Sequence, residues 1–145
     1  LEIRYACTAD TDGWVHLLEL VRDYFPGLDV GEHKKILLDK IQRGEALVAD
    51  EHTDIAGAMM FSRETKEIEF LAVHPGHRRS GVGKALLGYM VALFSKGSVF
   101  NVTTYREGDE RGSSARKFYQ SLGFVPERLT TAFDYPVQVM VLKTD

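Results

Sequence analysis

The chain lacks several features that would place it in a specialised class. It has one cysteine, Cys7, in 145 residues, so no disulfide can form within it and a disulfide-stapled scaffold is excluded. At the end of a short apolar strand, that thiol is expected to be buried and structural, not a nucleophile. There is no long apolar run and no signal-peptide pattern, so a reducing cytoplasm is the expected compartment and no membrane partner is expected. There is also no basic excess. Lys and Arg total 18 against 21 Asp and Glu, a formal net charge of -3, which argues against binding nucleic acid or anionic lipid through bulk charge. No repeat, low-complexity tract or linker interrupts the sequence. With 44% hydrophobic and 27% charged residues, the chain is long enough for one core and short for two, and a single domain over residues 1–145 is expected.

Periodicity divides the sequence into strands and helices. Ile3 to Ala6 reads as a strand, and Thr8 to Asp12 supplies capping residues for a helix whose apolar face is Trp14, Leu17, Leu18, Val21 and Phe25. Pro26-Gly27 ends it. A second helix from about Gly31 to Gln42 carries Leu37, Leu38 and Ile41 on one side, with Lys34, Lys35 and Lys40 among its solvated positions, and Gly44 stops it. Ala46 to Ala49 and Ile55 to Phe61 read as a hairpin, and Glu67 to Val73 as a third antiparallel strand. From Val82 the spacing of Ala85, Leu86, Tyr89, Met90 and Leu93 is helical. Val99 to Thr104 is a strand, Ser113 or Ser114 could cap the helix bearing Phe118 and Tyr119, and Phe124 to Leu142 should hold two more strands. The predicted class is α+β, a mixed and mostly antiparallel sheet with helices on both faces.

Chemistry concentrates where the strand ending at Val73 meets the helix beginning near Gly81. Arg78-Arg79-Ser80-Gly81-Val82-Gly83-Lys84 joins them. Glycines at alternate positions let the backbone approach a ligand, and the first turn of a helix offers unpaired N–H groups and partial positive charge, a cradle for pyrophosphate. The dinucleotide fingerprint fails because Leu86 stands where its third glycine belongs, and the Walker loop fails on spacing. With Leu71-Ala72-Val73-His74-Pro75 before it, the segment resembles the coenzyme A pyrophosphate loop of the GCN5-related N-acetyltransferases, the GNAT family. Its Arg/Gln-x-x-Gly-x-Gly/Ala pattern is filled by Arg78, Gly81 and Gly83. Downstream, Ala115-Arg116-Lys117-Phe118-Tyr119-Gln120-Ser121-Leu122-Gly123-Phe124 resembles that family's tyrosine-bearing helix and its Gly-Phe turn.

The resemblance implies a GNAT-like fold, a sheet that splays between the strands ending at Val73 and near Thr104, and acetyl-CoA as cosubstrate in that cleft. It places the coenzyme on Leu71, Ala72, Val73, Arg78, Arg79, Ser80, Gly81, Val82, Gly83 and Lys84. It also implies that the backbone N–H groups of Leu71 to Val73 polarise the acyl carbonyl through a bulge there. Tyr119 occupies the position of the family's proton donor to the departing thiolate. Where the family often has an asparagine for the pantetheine arm, this chain has Gly112, with Ser113 and Ser114 beside it.

The acceptor must lose a proton, because an alkylamine of pKa about 10.4 is protonated at neutral pH. Glu67 and Glu69 are the candidate bases, and alternation puts both on one face unless a bulge intervenes. By its offset from Leu71, Glu67 matches a glutamate that activates the amine in some members. Other members carry that glutamate on the next strand, where this chain has Thr103 and Thr104. The charged loop Arg106 to Arg111 reads as a solvated surface. The five histidines, His16, His33, His52, His74 and His77, show no metal-ligand spacing, and no metal is expected. The reading is direct acetyl transfer in a ternary complex to a primary amine of a small molecule. A peptide acceptor and a catalytically silent acyl-CoA-binding module are the alternatives, and a homodimer remains open. A closed pocket between Phe25–Val30 and Phe133–Pro136 would favour a small acceptor.

Overall fold

Strands form where apolar residues alternate or run together, and helices where they recur every three or four residues. The computed structural model describes residues 1–78 and 80–145. Its strands are β1 (Glu2–Tyr5), β2 (Ala46–Asp50), β3 (Ile55–Phe61), β4 (Glu67–Val73), β5 (Val99–Tyr105), β6 (Val125–Ala132) and β7 (Tyr135–Lys143). Its helices are α1 (Thr11–Val21), α2 (Val30–Arg43), α3 (Val82–Ala92) and α4 (Ser113–Ser121). One sheet runs β1-β2-β3-β4-β5-β7-β6, antiparallel throughout except between β4 and β5. The α+β arrangement of the sequence reading is the one observed. Among the described residues no helix is long and apolar enough to cross a membrane.

The sheet is covered on both faces. Trp14, Leu17, Leu18 and Val21 of α1 and Leu37 of α2 pack on one face, against Val48, Ala58, Met60, Phe70 and Ala72. Leu86 and Met90 of α3 and Tyr119 of α4 pack on the other, against Met59, Ile68, Leu71, Phe100 and Val102. Asp29 caps α2 by accepting from the Glu32 amide at 2.9 Å, and Gly44 closes it in the left-handed region at φ 68°.

Four local expectations are corrected. Helix α1 ends at Val21, and a tight turn over Arg22–Tyr24 follows. Phe25 precedes Pro26, whose ring disfavours helical geometry in the residue before it, so Phe25 is extended at φ -128° and ψ 72°. It is nonetheless packed against the core. Leu38 is exposed, whereas His33 takes the inward position one turn before Leu37. Neither Ser113 nor Ser114 caps α4, because Gly112 occupies the cap position and Ser113 is already helical. Cys7 is exposed, because β1 ends at Tyr5 and the chain has left the sheet.

Candidate active site

The cleft is opened by withheld strand pairing. β4 and β5 pair only at Glu67–Asn101 and Ile68–Val102, and beyond that point the two strands separate. β4 stays in register with β3 through Leu71–Met59, Ala72–Ala58 and Val73–Gly57, and the His74 amide donates to the Ala56 carbonyl at 2.8 Å. In an antiparallel ladder the hydrogen-bonded pairs alternate, so Ala72 and His74 face β3 while the N–H groups of Leu71 and Val73 face the open side.

The expected bulge at Leu71 to Val73 lies elsewhere. The register shifts between Met60 and Phe61, which oppose Phe70 and Ile68, so Glu69 is the extra residue. The core confirms it: Ile68 and Leu71 lie on the α3/α4 face, while Phe70 lies on the α1/α2 face. The unpaired amides at Leu71 and Val73 therefore come from the splay and not from a bulge at those residues.

The two glutamates have different surroundings. Glu69 forms an ion pair with Lys40 of α2, whose Nζ also lies 3.4 Å from Glu45 and donates to the Phe61 carbonyl at 3.0 Å. Lys40, expected to be solvated, is instead drawn inward by these three acceptors. Its position one turn after Leu37 was the available signal. Glu67 is half-buried and accepts a long hydrogen bond from Thr103 Oγ1, 3.4 Å away on β5. Burial first, and the negative charge of Glu69 second, push the Glu67 carboxyl above its ordinary range, against the pull of Thr103 and Lys40.

The phosphate loop is seated over the end of β4. Gly57 pairs with Val73, and a Cβ at Gly57 would lie 2.6 Å from Val82 Cγ1, so α3 begins directly above this part of the sheet. Gly81 holds φ 80° and carries no side chain to cap the helix, which leaves the amides of its first turn without a capping group. Gly83 has a different constraint from the one expected. A Cβ there would meet Phe118 Cζ at 2.3 Å, so its bareness admits the α4 ring and does not by itself open space for a ligand. Arg78 is exposed, Ser80 Oγ donates to the His77 carbonyl, and Lys84 lines a groove of about 480 Å³ between α3 and the end of α4. Arg79 lies outside the described residues.

Tyr119 is buried in the α3/α4 core beside Phe118 and Phe124, and desolvation pushes its phenol up to about 12. Among the described residues its hydroxyl has no hydrogen-bond partner. Gly112 is buried against Tyr105, whose side chain would be 2.3 Å from an added Cβ, and Ser114 is exposed. The Arg106–Arg111 loop is fastened instead of free: Tyr135 Oη donates to Asp109 at 2.5 Å, and Arg106 donates to the Val137 and Thr130 carbonyls. Phe133, one wall of the closed pocket that would favour a small acceptor, is fully exposed at the β6–β7 turn. Sequence reasoning also missed Arg116, buried on α4 and donating to the Tyr105 carbonyl and Gln138 Oε1.

Asp54, His74 and His77 bring their ligand atoms within 4.8 Å of one another. His74 Nδ1 accepts from the Gly76 amide at 2.9 Å, so a neutral ring carries its proton on Nε2, which faces Asp54 at 3.6 Å.

Residues 42–126 match the family model described as the acetyltransferase (GNAT) domain. The chain belongs to the GNAT acetyltransferases. Solved GNAT-fold structures resemble it along nearly its whole length. A GNAT-family acetyltransferase from Streptococcus agalactiae is 18% identical with a TM-score of 0.78, covering 99% of this chain and 95% of its own. One from Bacillus cereus is 20% identical with a TM-score of 0.76, covering 99% and 96%. The ribosomal-protein-S18-alanine N-acetyltransferase from Escherichia coli is 18% identical with a TM-score of 0.70, covering 99% and 93%. No curated protein matches the chain. GNAT acetyltransferases use acetyl-CoA as cosubstrate. The residues present are compatible with it: unpaired amides face an open cleft, and an uncapped helix start with basic residues adjoins it.

Proposed function

We propose that this GNAT acetyltransferase moves an acetyl group from acetyl-CoA to a primary amine by direct transfer, both substrates being bound together. The observation that carries this reading is the splay of β4 from β5, with the N–H groups of Leu71 and Val73 facing the opening and Glu67 half-buried at its root. The amides of the Gly81–Lys84 turn, with Arg78 and Ser80 beside them, hold the pyrophosphate, and the sequence adds Arg79 as a further positive charge. The Leu71 and Val73 amides donate to the thioester oxygen as it gains charge during attack.

Glu67 takes the amine proton, directly or through one water. Its neighbours favour it over Glu69, whose charge is committed to Lys40. Tyr119 gives its proton to the departing thiolate. Burial that raises the phenol keeps it protonated at every working pH, and the same desolvation makes a thiolate in the cleft more basic. Ser114 and the Gly112 backbone are the candidates for the pantetheine arm.

The acceptor is a small amine. One observation favours a peptide instead: Phe133 is fully exposed and so walls no closed pocket. Release of free thiol from acetyl-CoA, followed over a panel of small amines and N-terminal peptides, tests both. Turnover on small amines supports the first reading and turnover confined to peptides the second. A protein that binds acetyl-CoA and acetylates nothing is a silent binding module.

A further inference from the structure

We propose that Tyr24 is a positioning residue for the coenzyme, holding the Arg78 guanidinium in place at the phosphate loop. The inference rests on the coenzyme reading above. Tyr24 lies in the turn between α1 and α2, 54 residues before Arg78, and nothing in either sequence motif connects them. In the fold they meet. The Arg78 guanidinium carbon is 4.5 Å from the centroid of the Tyr24 ring, and Nη1 donates to Tyr24 Oη at 3.0 Å.

The geometry suits a phosphate-binding arginine. The Tyr24 hydroxyl takes a donor from Nη1 alone, which leaves the other guanidinium N–H groups available to phosphate oxygens. An unrestrained surface arginine would lose rotamer entropy when a ligand fixed it. Contact with Tyr24 removes part of that freedom beforehand.

A purely structural role does not account for Tyr24. The α1–α2 connection is anchored by its neighbours: Phe25 faces inward with its ring 5.0 Å from that of Phe70 on β4, and Leu28 and Val30 also pack on the core. Tyr24 is 54% exposed and faces the loop instead. Consecutive residues thus tie one segment to β4 and to the phosphate loop, so the segment beside the bulged strand and the coenzyme contact are held in one frame.

The test compares the parental protein with Tyr24→Phe, Tyr24→Leu, Arg78→Ala and the Tyr24→Leu/Arg78→Ala double variant. Calorimetric titration uses coenzyme A and, separately, pantetheine, which lacks the phosphates. Tyr24→Leu is expected to weaken coenzyme A binding about threefold to tenfold, from a lost cation–π contact and one hydrogen bond. Tyr24→Phe, which keeps the ring, should recover most of that loss. Pantetheine affinity should not move, and the double variant should bind no more weakly than Arg78→Ala. In turnover the KM for acetyl-CoA should rise while kcat is kept. Coenzyme affinity unchanged in Tyr24→Leu, equal losses for coenzyme A and pantetheine, or additive losses in the double variant would each overturn the proposal. A parental protein that binds no coenzyme A overturns the underlying reading and this one with it. Because Tyr24 is exposed, the variants should fold, and near-parental thermal midpoints check that they do.

Discussion

Glu67 and Glu69 are the same side chain two positions apart on one strand, and their neighbours decide which can accept a proton from an amine. Glu69 is ion-paired with Lys40, whereas Glu67 is partly desolvated and stands next to the Glu69 charge. A carboxylate with a raised pKa is the stronger base, and it must be ionised to act, so turnover should fall as the pH drops through the raised Glu67 value. Glu67→Gln is expected to lower kcat by about 10² to 10⁴-fold and to remove that acidic limb, with coenzyme affinity kept. Glu69→Gln should keep the limb but move it to lower pH, because it removes the charge that helps raise Glu67, and a pH–rate series in which Glu69→Gln abolished the limb and Glu67→Gln kept it would exchange their roles. Tyr119→Phe keeps the ring in its core position and deletes only the hydroxyl. Its expected loss is again about 10² to 10⁴-fold, in kcat alone, or roughly 3 to 5 kcal/mol of barrier. Parental turnover by the folded variant would reduce Tyr119 to a core aromatic.

At the scale of elements, the glycines of the phosphate loop serve two different ends. Gly81 is held at φ 80° with open space around it, a conformational requirement, whereas Gly83 makes room for Phe118 and so sets how closely α3 and α4 approach. Gly83→Ala should therefore overpack this contact and destabilise the protein by about 1–3 kcal/mol. Urea unfolding should show a lower midpoint at unchanged slope, with a smaller cost in a Phe118→Ala background. A parental midpoint would show that the ring moves aside freely. Most elements were legible because their signals are local: Gly44 ends α2, the His52–Asp54 turn divides β2 from β3, and the Gly123-Phe124 turn precedes β6. The Glu69 bulge was not, since it depends on the register of β4 against β3. Nor were Lys40 and Tyr24 as neighbours of the site, because each reaches it across a long stretch of sequence and carries no motif.

For the molecule as a whole, acid sensitivity should come from two groups that take no part in the proposed transfer. His33 is buried, accepts a hydrogen bond from Trp14 Nε1 at 2.9 Å through its Nε2, and has its pKa lowered by desolvation. Above the unfolded value of about 6.5 the ring is neutral in both states and its contribution is fully present. As the pH falls below that value the unfolded chain takes up a proton that the folded chain resists, so stability declines. Asp10 adds a second loss at lower pH. Hydrogen bonds from Arg4 at 2.8 Å hold its carboxyl below the ordinary range, so its contribution is present above the unfolded value near 3.9 and lost as the pH falls through the folded one. Thermal midpoints measured from pH 7.5 to 5 should fall in the parental protein. A His33→Gln variant should show a flatter dependence over that range, and equal slopes would remove His33 as the source.

The splay also divides the sheet mechanically. β1 to β4 and the trio β5, β7 and β6 are joined along their shared border by only two residue pairs, at one end, as leaves are joined at a hinge. Ligand in the opening would behave as a partial eighth strand, lending acceptors to a border that lacks them. Solvent hydrogen exchange along β4 would then alternate: Leu71 and Val73 exposed to exchange in the empty protein, Ala72 protected between them, and all three slow once the gap is filled.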